Sequence, residues 1–277
     1  MKQAITINRQ ALVSLGIMLA GITYLYFPIL QDLAHDWDTN DNYSHGYFIP
    51  ILSAYIIYTL KDELKKIPLQ SNIAGLILLI LGLIQLIIAK TGSEFFLQRT
   101  SLIPVFAGLV LFCLGWEFLK KLFIPIIYLI FMVPLPAIIW NKIAFPMQLF
   151  GSYLTEKVVD MVGIPIFRQG NVLHLSNTTL EVVDACSGLR SLTTLFALSA
   201  VFAILSTHNT WQKWVLFFVA APIAIFANIV RLTATALLAS RYGGDIAQGF
   251  LHDFSGLVVF AVGIVMLVAV SNLMKRI

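Results

Sequence analysis

Residues 218–239 read FVAAPIAIFANIVRLTATALLA. The run is long enough to cross the ~30 Å hydrocarbon layer of a bilayer as a helix. Its only charge is Arg231. Placing a guanidinium at mid-bilayer costs at least ~2.5 kcal/mol, so such a residue defaults to a functional or paired charge facing a bundle interior. Asn228, three residues earlier, shares the Arg231 face of the helix. The plainer alternative is an arginine that snorkels to the headgroups.

The rest of the chain fits this reading. Of 277 residues, 59% are hydrophobic and 12% charged, and mean hydropathy is +0.88. A soluble domain carries about 25% charged residues, so water cannot cover most of this surface and lipid must. The net charge of +4 reports membrane topology rather than nucleic acid. Apolar runs at 11–30, 46–60, 73–89, 101–118, 122–140, 187–206, 214–238 and 254–273 predict eight spans. Pro125, Pro134 and Pro136 predict a kink in the fifth. The first run spans without a small-residue cleavage site, so no cleavable signal peptide is expected.

Lys and Arg in short loops set the orientation. Lys2, Arg9, Lys61, Lys65, Lys66, Lys120, Lys121, Lys213, Lys275 and Arg276 place both termini in the cytoplasm. The first outer loop has only acidic charges, Asp32, Asp36, Asp38 and Asp41; Lys90 and Arg99 are exceptions on the outer side.

Segment 141–186 is the longest stretch without a span, and this topology puts it outside. From about Ile143 to Val162, apolar Phe145, Leu149, Tyr153, Leu154, Val158, Met161 and Val162 interleave with Gln148, Ser152, Thr155, Glu156, Lys157 and Asp160. That spacing predicts an amphipathic helix on the membrane surface. IFRQGNVLHLSNTTLEVVDA (166–185) predicts two or three short strands, with turns at Gln169–Asn171 and Ser176–Asn177. The expected fold is thus one all-α polytopic membrane domain over 1–277, with about eight transmembrane helices, an outer amphipathic helix and a small β-hairpin-like insertion before the sixth span.

Cys186 lies at the predicted start of the sixth span, in DACSGLRS. A thiol at a helix N-terminus is biased toward thiolate, and Arg190 adds positive charge four residues on. Asp184 and Glu181 oppose that bias, and a buried structural thiol is the plainer alternative. Cys113 sits in an apolar run, so a disulfide between the two is not expected. His252 opens the last span on the outer side; as a lone interfacial histidine it is a polar anchor. Beside a cysteine it exchanges protons near neutral pH. Arg231 lies about 25 Å from Trp214 at ~1.5 Å per residue. The topology therefore brings Cys186, Arg231 and His252 to one outer face on three spans. Tyr43 and His45, in NYSHG (42–46), open the second span from outside. They read as site-lining or substrate-binding groups, or as an interfacial cap. No metal-ligand or nucleotide motif occurs, and no metal or cofactor is expected.

NYSHGYFIP (42–50), VPLPAIIWNKIAFPMQ (133–148), LEVVDACSGLRSL (180–192), NIVRLTATALLA (228–239) and GFLHDFSG (249–256) resemble the exosortase/archaeosortase family of membrane-embedded transpeptidases. The likeness covers most of the chain and is nearer the bacterial exosortase branch, without the soluble C-terminal domain fused to some members. It implies a thiol peptidase of the bacterial inner membrane with its site on the outer face. Its partners are exported proteins ending in a Pro-Glu-Pro-like motif, a transmembrane helix and a basic tail. It further implies that a Cys186 thioester is passed to an acceptor, that Arg231 stabilises the oxyanion and that Asn228 orients Arg231. His252 protonates the leaving amine and then deprotonates the incoming nucleophile. The competing reading is a transporter or polysaccharide-export component without peptidase activity.

Overall fold

The computed structural model describes residues 9–183, 188–243 and 250–275. Helix α1 (Arg9–Thr39) leads through a 3-10 segment (Asp41–Tyr47) into α2 (Phe48–Thr59) and the short α3 (Lys61–Leu64). Then come α4 (Ile73–Thr91), α5 (Phe95–Thr100), α6 (Leu102–Cys113), α7 (Trp116–Tyr128) and α8 (Ala137–Met161). Three strands follow: β1 (Ile166–Gln169), β2 (Val172–Leu175) and β3 (Thr179–Glu181). The chain ends in α9 (Leu189–Leu205), α10 (Thr210–Phe218), α11 (Ala220–Tyr242) and α12 (Phe250–Met274).

Among the described residues, three helical stretches are long and apolar enough to cross a membrane: Ile73–Thr91, Phe95–Cys113 and Thr210–Tyr242. The pair Trp116–Met132 and Ala137–Met161, bent by 78°, makes a fourth if it is one broken span. The eight spans read from the sequence are therefore not all reproduced. The run at 46–60 yields the twelve-residue α2, which reaches only about 18 Å. The run at 187–206 gives a helix of 17 residues.

The run at 122–140 is interrupted at Pro134 and Pro136, whereas Pro125 lies within α7. After a 3-10 turn (Leu129–Met132), Val133 is extended at φ −91° and ψ 120°, as a residue before proline prefers. The break exposes backbone groups that have no water partner in a membrane. Two side chains satisfy them: the Leu135 N–H donates to the Tyr43 hydroxyl at 2.9 Å, and Trp37 Nε1 donates to the Met132 carbonyl at 2.9 Å. The NYSHG segment is thereby pinned to the break before α8.

The expected amphipathic helix exists within α8, but over its Gln148–Thr155 part the faces are reversed, while Lys157 and Asp160 near its end are exposed as expected. Gln148, Ser152 and Thr155 are buried, while Phe145, Phe150, Tyr153, Val158, Met161 and Val162 are exposed. A surface helix would turn its polar side to water; α8 turns it into the protein, beside α11. Small and polar residues pack helix against helix in lipid, and the large apolar ones face outward.

The insertion is a three-stranded antiparallel sheet in the order β1-β2-β3, with Phe167 opposite His174 and Leu173 opposite Leu180. Gly170 makes the first turn at φ +65°, a conformation glycine adopts without strain. Leu173, Leu175, Leu180 and Val182 pack in one cluster with Val159 of α8 and Leu232, Ala236 and Ala239 of α11. Asn177 Nδ2 donates to the Ser240 carbonyl at 3.0 Å, satisfying a terminal carbonyl of α11. The sheet thus rests on the end of α11 and carries the chain toward Cys186.

Polar contacts also tie the connections together. Arg99 pairs with Asp36 at 2.7 Å, and Lys121 with Glu63 at 2.6 Å. Near the C-terminal end, His208 Nε2 bonds the Ser271 hydroxyl at 3.0 Å, and Gln212 Nε2 donates to the Met274 carbonyl at 3.1 Å.

Candidate functional site

Helix α11 holds Asn228 and Arg231 on one buried face. Arg231 Nη2 donates to Asn228 Oδ1 at 2.8 Å. The i, i+3 spacing places the two side chains together, and a charged donor makes the bond a strong one. The two residues read as sharing one helix face are thus hydrogen-bonded to each other.

Asn228 is wedged between two glycines. A Cβ built on Gly188 would lie 2.7 Å from Asn228 Cγ, and one on Gly151 of α8 would lie 3.8 Å from Asn228 Nδ2. Gly188 opens α9 at φ +82°. It therefore supplies both a left-handed turn and a close approach that no side chain would permit. Cys186 and Asp184 lie outside the described residues.

A cavity of about 700 Å³ is lined by parts of six elements: its polar side is Asp41, Ser44 and His45 from the 3-10 segment, Arg190 and Thr194 from α9 and Arg231 from α11, and α2, α7 and Gly256 of α12 close the rest. Gly256 is one helical turn after His252, which falls in the first turn of α12. Arg190 is held at the rim, with Nη2 3.4 Å from Asp41 Oδ2 and Nε donating to Asn42 Oδ1 at 3.3 Å.

His45 has two distinct nitrogens. One hydrogen bond joins its ring to the Phe131 backbone. Nε2 is shielded from solvent and has no partner. Burial pushes the imidazole below its ordinary pKa, and the Phe131 bond partly opposes this. Tyr43 stacks on the ring with centroids 6.2 Å apart. Tyr43 itself is buried behind the cavity. Burial pushes its hydroxyl up to about 12, against the Leu135 bond.

Of the residues singled out in the sequence, His45, Arg190 and Arg231 line one cavity, Asn228 supports Arg231, and Tyr43 supports the segment bearing His45. Asp41, Gly151 and Gly188 are additions, and nothing local marked Gly151. A smaller apolar groove of about 200 Å³ runs between α8 and α11, lined by Pro146, Met147, Phe150, Gly151, Ile225, Asn228 and Ile229. Asn228 thus stands between this groove and the arginine that lines the cavity. Among the described residues, no group of three His, Cys, Asp or Glu side chains is placed to hold a metal ion.

No curated protein and no solved structure matches the chain. The family model described as Transmembrane exosortase matches residues 37–269, from the last turns of α1 into α12. That match takes in the 3-10 segment, the break, the sheet and every cavity residue, and the chain belongs to the transmembrane exosortase family.

Proposed function

We propose that the protein is a membrane-embedded cysteine peptidase and transpeptidase. It cleaves the C-terminal sorting signal of exported proteins and passes the new C-terminus to a surface acceptor. The observation that carries this reading is the cavity that gathers Arg231, Arg190 and His45, with Gly256 one turn from His252. Cys186 is two residues from Gly188, at most about 7 Å of chain, and Gly188 abuts the Asn228 that bonds Arg231.

Cys186 attacks the scissile carbonyl as thiolate. The C–N bond breaks, a thioester forms, and the departing amine takes a proton from His252. Arg231, aimed by Asn228, donates hydrogen bonds to the developing oxyanion. Ion pairs support the sidedness this requires. Arg99, an exception in the outer loops, pairs with Asp36 of the acidic outer segment. Lys121 pairs with Glu63, joining two basic loops assigned to the cytoplasm. The apolar groove beside Asn228 suits the approach of a substrate's own membrane helix from the lipid.

The test is processing of an exported protein that ends in motif, apolar helix and basic tail. Cys186→Ala should abolish it, and a thiol probe should label Cys186 unless a sorting-signal peptide is present. Normal processing by Cys186→Ala cells would reject the nucleophile and favour a transport role.

A further inference from the structure

The cavity that takes in Arg231 changes character along its length. Asp41, Ser44, Arg190 and Arg231 line one part of it, and Leu52, Tyr128, Leu198 and Phe260 another. Contacts in the walls fix the two ends. At the polar end Arg190 reaches Asp41 and Asn42, and Asn228, the partner of Arg231, abuts Gly188 at the start of α9. At the apolar end the Tyr128 hydroxyl donates to the Ala197 carbonyl at 3.2 Å, and the Ser53 hydroxyl of α2 donates to the Pro125 carbonyl of α7 at 2.8 Å. From Arg190 to Leu198 the slot follows α9 for about 12 Å at ~1.5 Å per residue. Helices α2 and α12 both pack on α9 and supply the side walls.

This lining selects its occupant. Two guanidiniums against the single carboxylate of Asp41 give the polar end an excess of positive charge, which suits an anion such as a phosphate. The apolar end has little to offer a peptide backbone, whose N–H and C=O groups need partners away from water. Leu52, Leu198 and Phe260 have no polar side-chain atom, and the hydroxyls of Thr194 and Tyr128 already donate to carbonyls of α9. An α-helix, about 10–12 Å across, would fill roughly 1,000 Å³ or more over the same depth, and the cavity holds about 700 Å³. Hydrocarbon needs no partner and fits a narrower slot. We propose that the slot binds an anionic glycerophospholipid, its phosphate on Arg190 and Arg231 and an acyl chain along α9 toward Leu198 and Phe260. Phe48 at the edge of the slot is exposed, so the chain enters from the bilayer. Phosphate and scissile carbonyl then compete for Arg231, and the lipid holds the site closed to water until a substrate displaces it. That consequence rests on the peptidase reading above; the binding does not.

The test uses the full-length protein in detergent, with native mass spectrometry reading bound dioleoyl phosphatidylglycerol against dioleoyl phosphatidylcholine. Wild type should bind the anionic lipid at least about tenfold more tightly, as expected for hydrogen bonds from charged donors. Arg190→Gln and Asp41→Asn break the same rim ion pair but change the charge in opposite directions. The first should erase most of the preference and the second should raise it, whereas loss of the pair as a structural tie would move both the same way. Leu198→Trp fills the apolar end and should weaken both lipids about tenfold without altering their ratio. Leu52→Trp does the same from the opposite wall if Leu198→Trp fails to fold. Glycerol phosphate, a headgroup without chains, should not displace phosphatidylglycerol at equal concentration. Equal binding of the two lipids by wild type, charge variants that move together, or displacement by glycerol phosphate would overturn the assignment. A sorting-signal peptide should displace the lipid. Charge-selective lipid binding that the peptide leaves untouched would support the lipid site and reject this cavity as the place of cleavage.

Discussion

Gly188 and Asn228 meet so closely that a Cβ on the glycine would lie 2.7 Å from Cγ of the asparagine. The contact joins the start of α9, two residues past Cys186, to the residue that accepts the Arg231 hydrogen bond. Two constraints coincide at one backbone position, the left-handed turn and the lack of space. Gly188→Ala should violate both. The left-handed conformation alone costs an alanine roughly 1–2 kcal/mol, and the methyl would push Asn228 off its bond. Expected is at least a tenfold loss of cleavage, about 1.4 kcal/mol in rate, with the enzyme still extractable as a folded species. Wild-type cleavage by Gly188→Ala would show that the position of Asn228 does not matter to the site.

Asn228 can be tested from its own side. Asn228→Ala deletes the acceptor for Arg231 Nη2, and a hydrogen bond to a charged group contributes about 1.5–3 kcal/mol. If Asn228 aims the guanidinium, kcat should fall by roughly 10–100-fold with little change in KM, because the loss is felt where the oxyanion forms. Asn228→Asp, which keeps an oxygen acceptor, should retain more activity than the alanine variant. A pure KM effect would instead make Asn228 a substrate-binding residue, consistent with its place in the α8–α11 groove.

The membrane class was legible in composition, and the break before α8 in Pro134 and Pro136, because both are local properties. The faces of α8 were not. Helical periodicity identifies two faces and leaves open which one water or lipid takes. Gln148, Ser152 and Thr155 look like a wet stripe until α8 packs against α11 and buries them within the bundle. The count of eight spans is not confirmed for a related reason. Hydropathy detects apolar runs, whereas α2 ends after 12 residues at a turn that no window registers. Within the site, Arg231 announced itself by its cost in lipid. Gly151 could not, since a close approach between α8 and α11 is a tertiary fact.

The reversal of α8 makes a paired prediction. Ser152 is fully buried and neighbouring Tyr153 is exposed. Ser152→Leu should therefore overpack the interface and destabilise by about 1–3 kcal/mol. Tyr153→Leu, facing outward, should change stability by no more than about 0.5 kcal/mol. Thermal unfolding of both variants in detergent checks this. The opposite ranking would restore the surface-helix orientation.

The neutral burial of His45 carries a pH signature in stability, separate from catalysis. Its folded-state pKa is lowered from 6.5, chiefly by burial, with the Phe131 bond opposing. Well above 6.5 the histidine is neutral in both folded and unfolded chains and contributes no slope. As pH falls below 6.5, the unfolded chain takes up a proton that the folded site resists. Stability therefore declines until the lowered folded pKa is reached. His45→Gln removes this contribution and leaves His35, His174, His208 and His252 in place. Between about pH 7.5 and about pH 5.5, wild-type Tm in detergent should drop further than that of His45→Gln. The gap between the two curves should open as pH falls through 6.5. Parallel curves would mean that His45 takes up its proton equally in both states and that its burial does not resist charge.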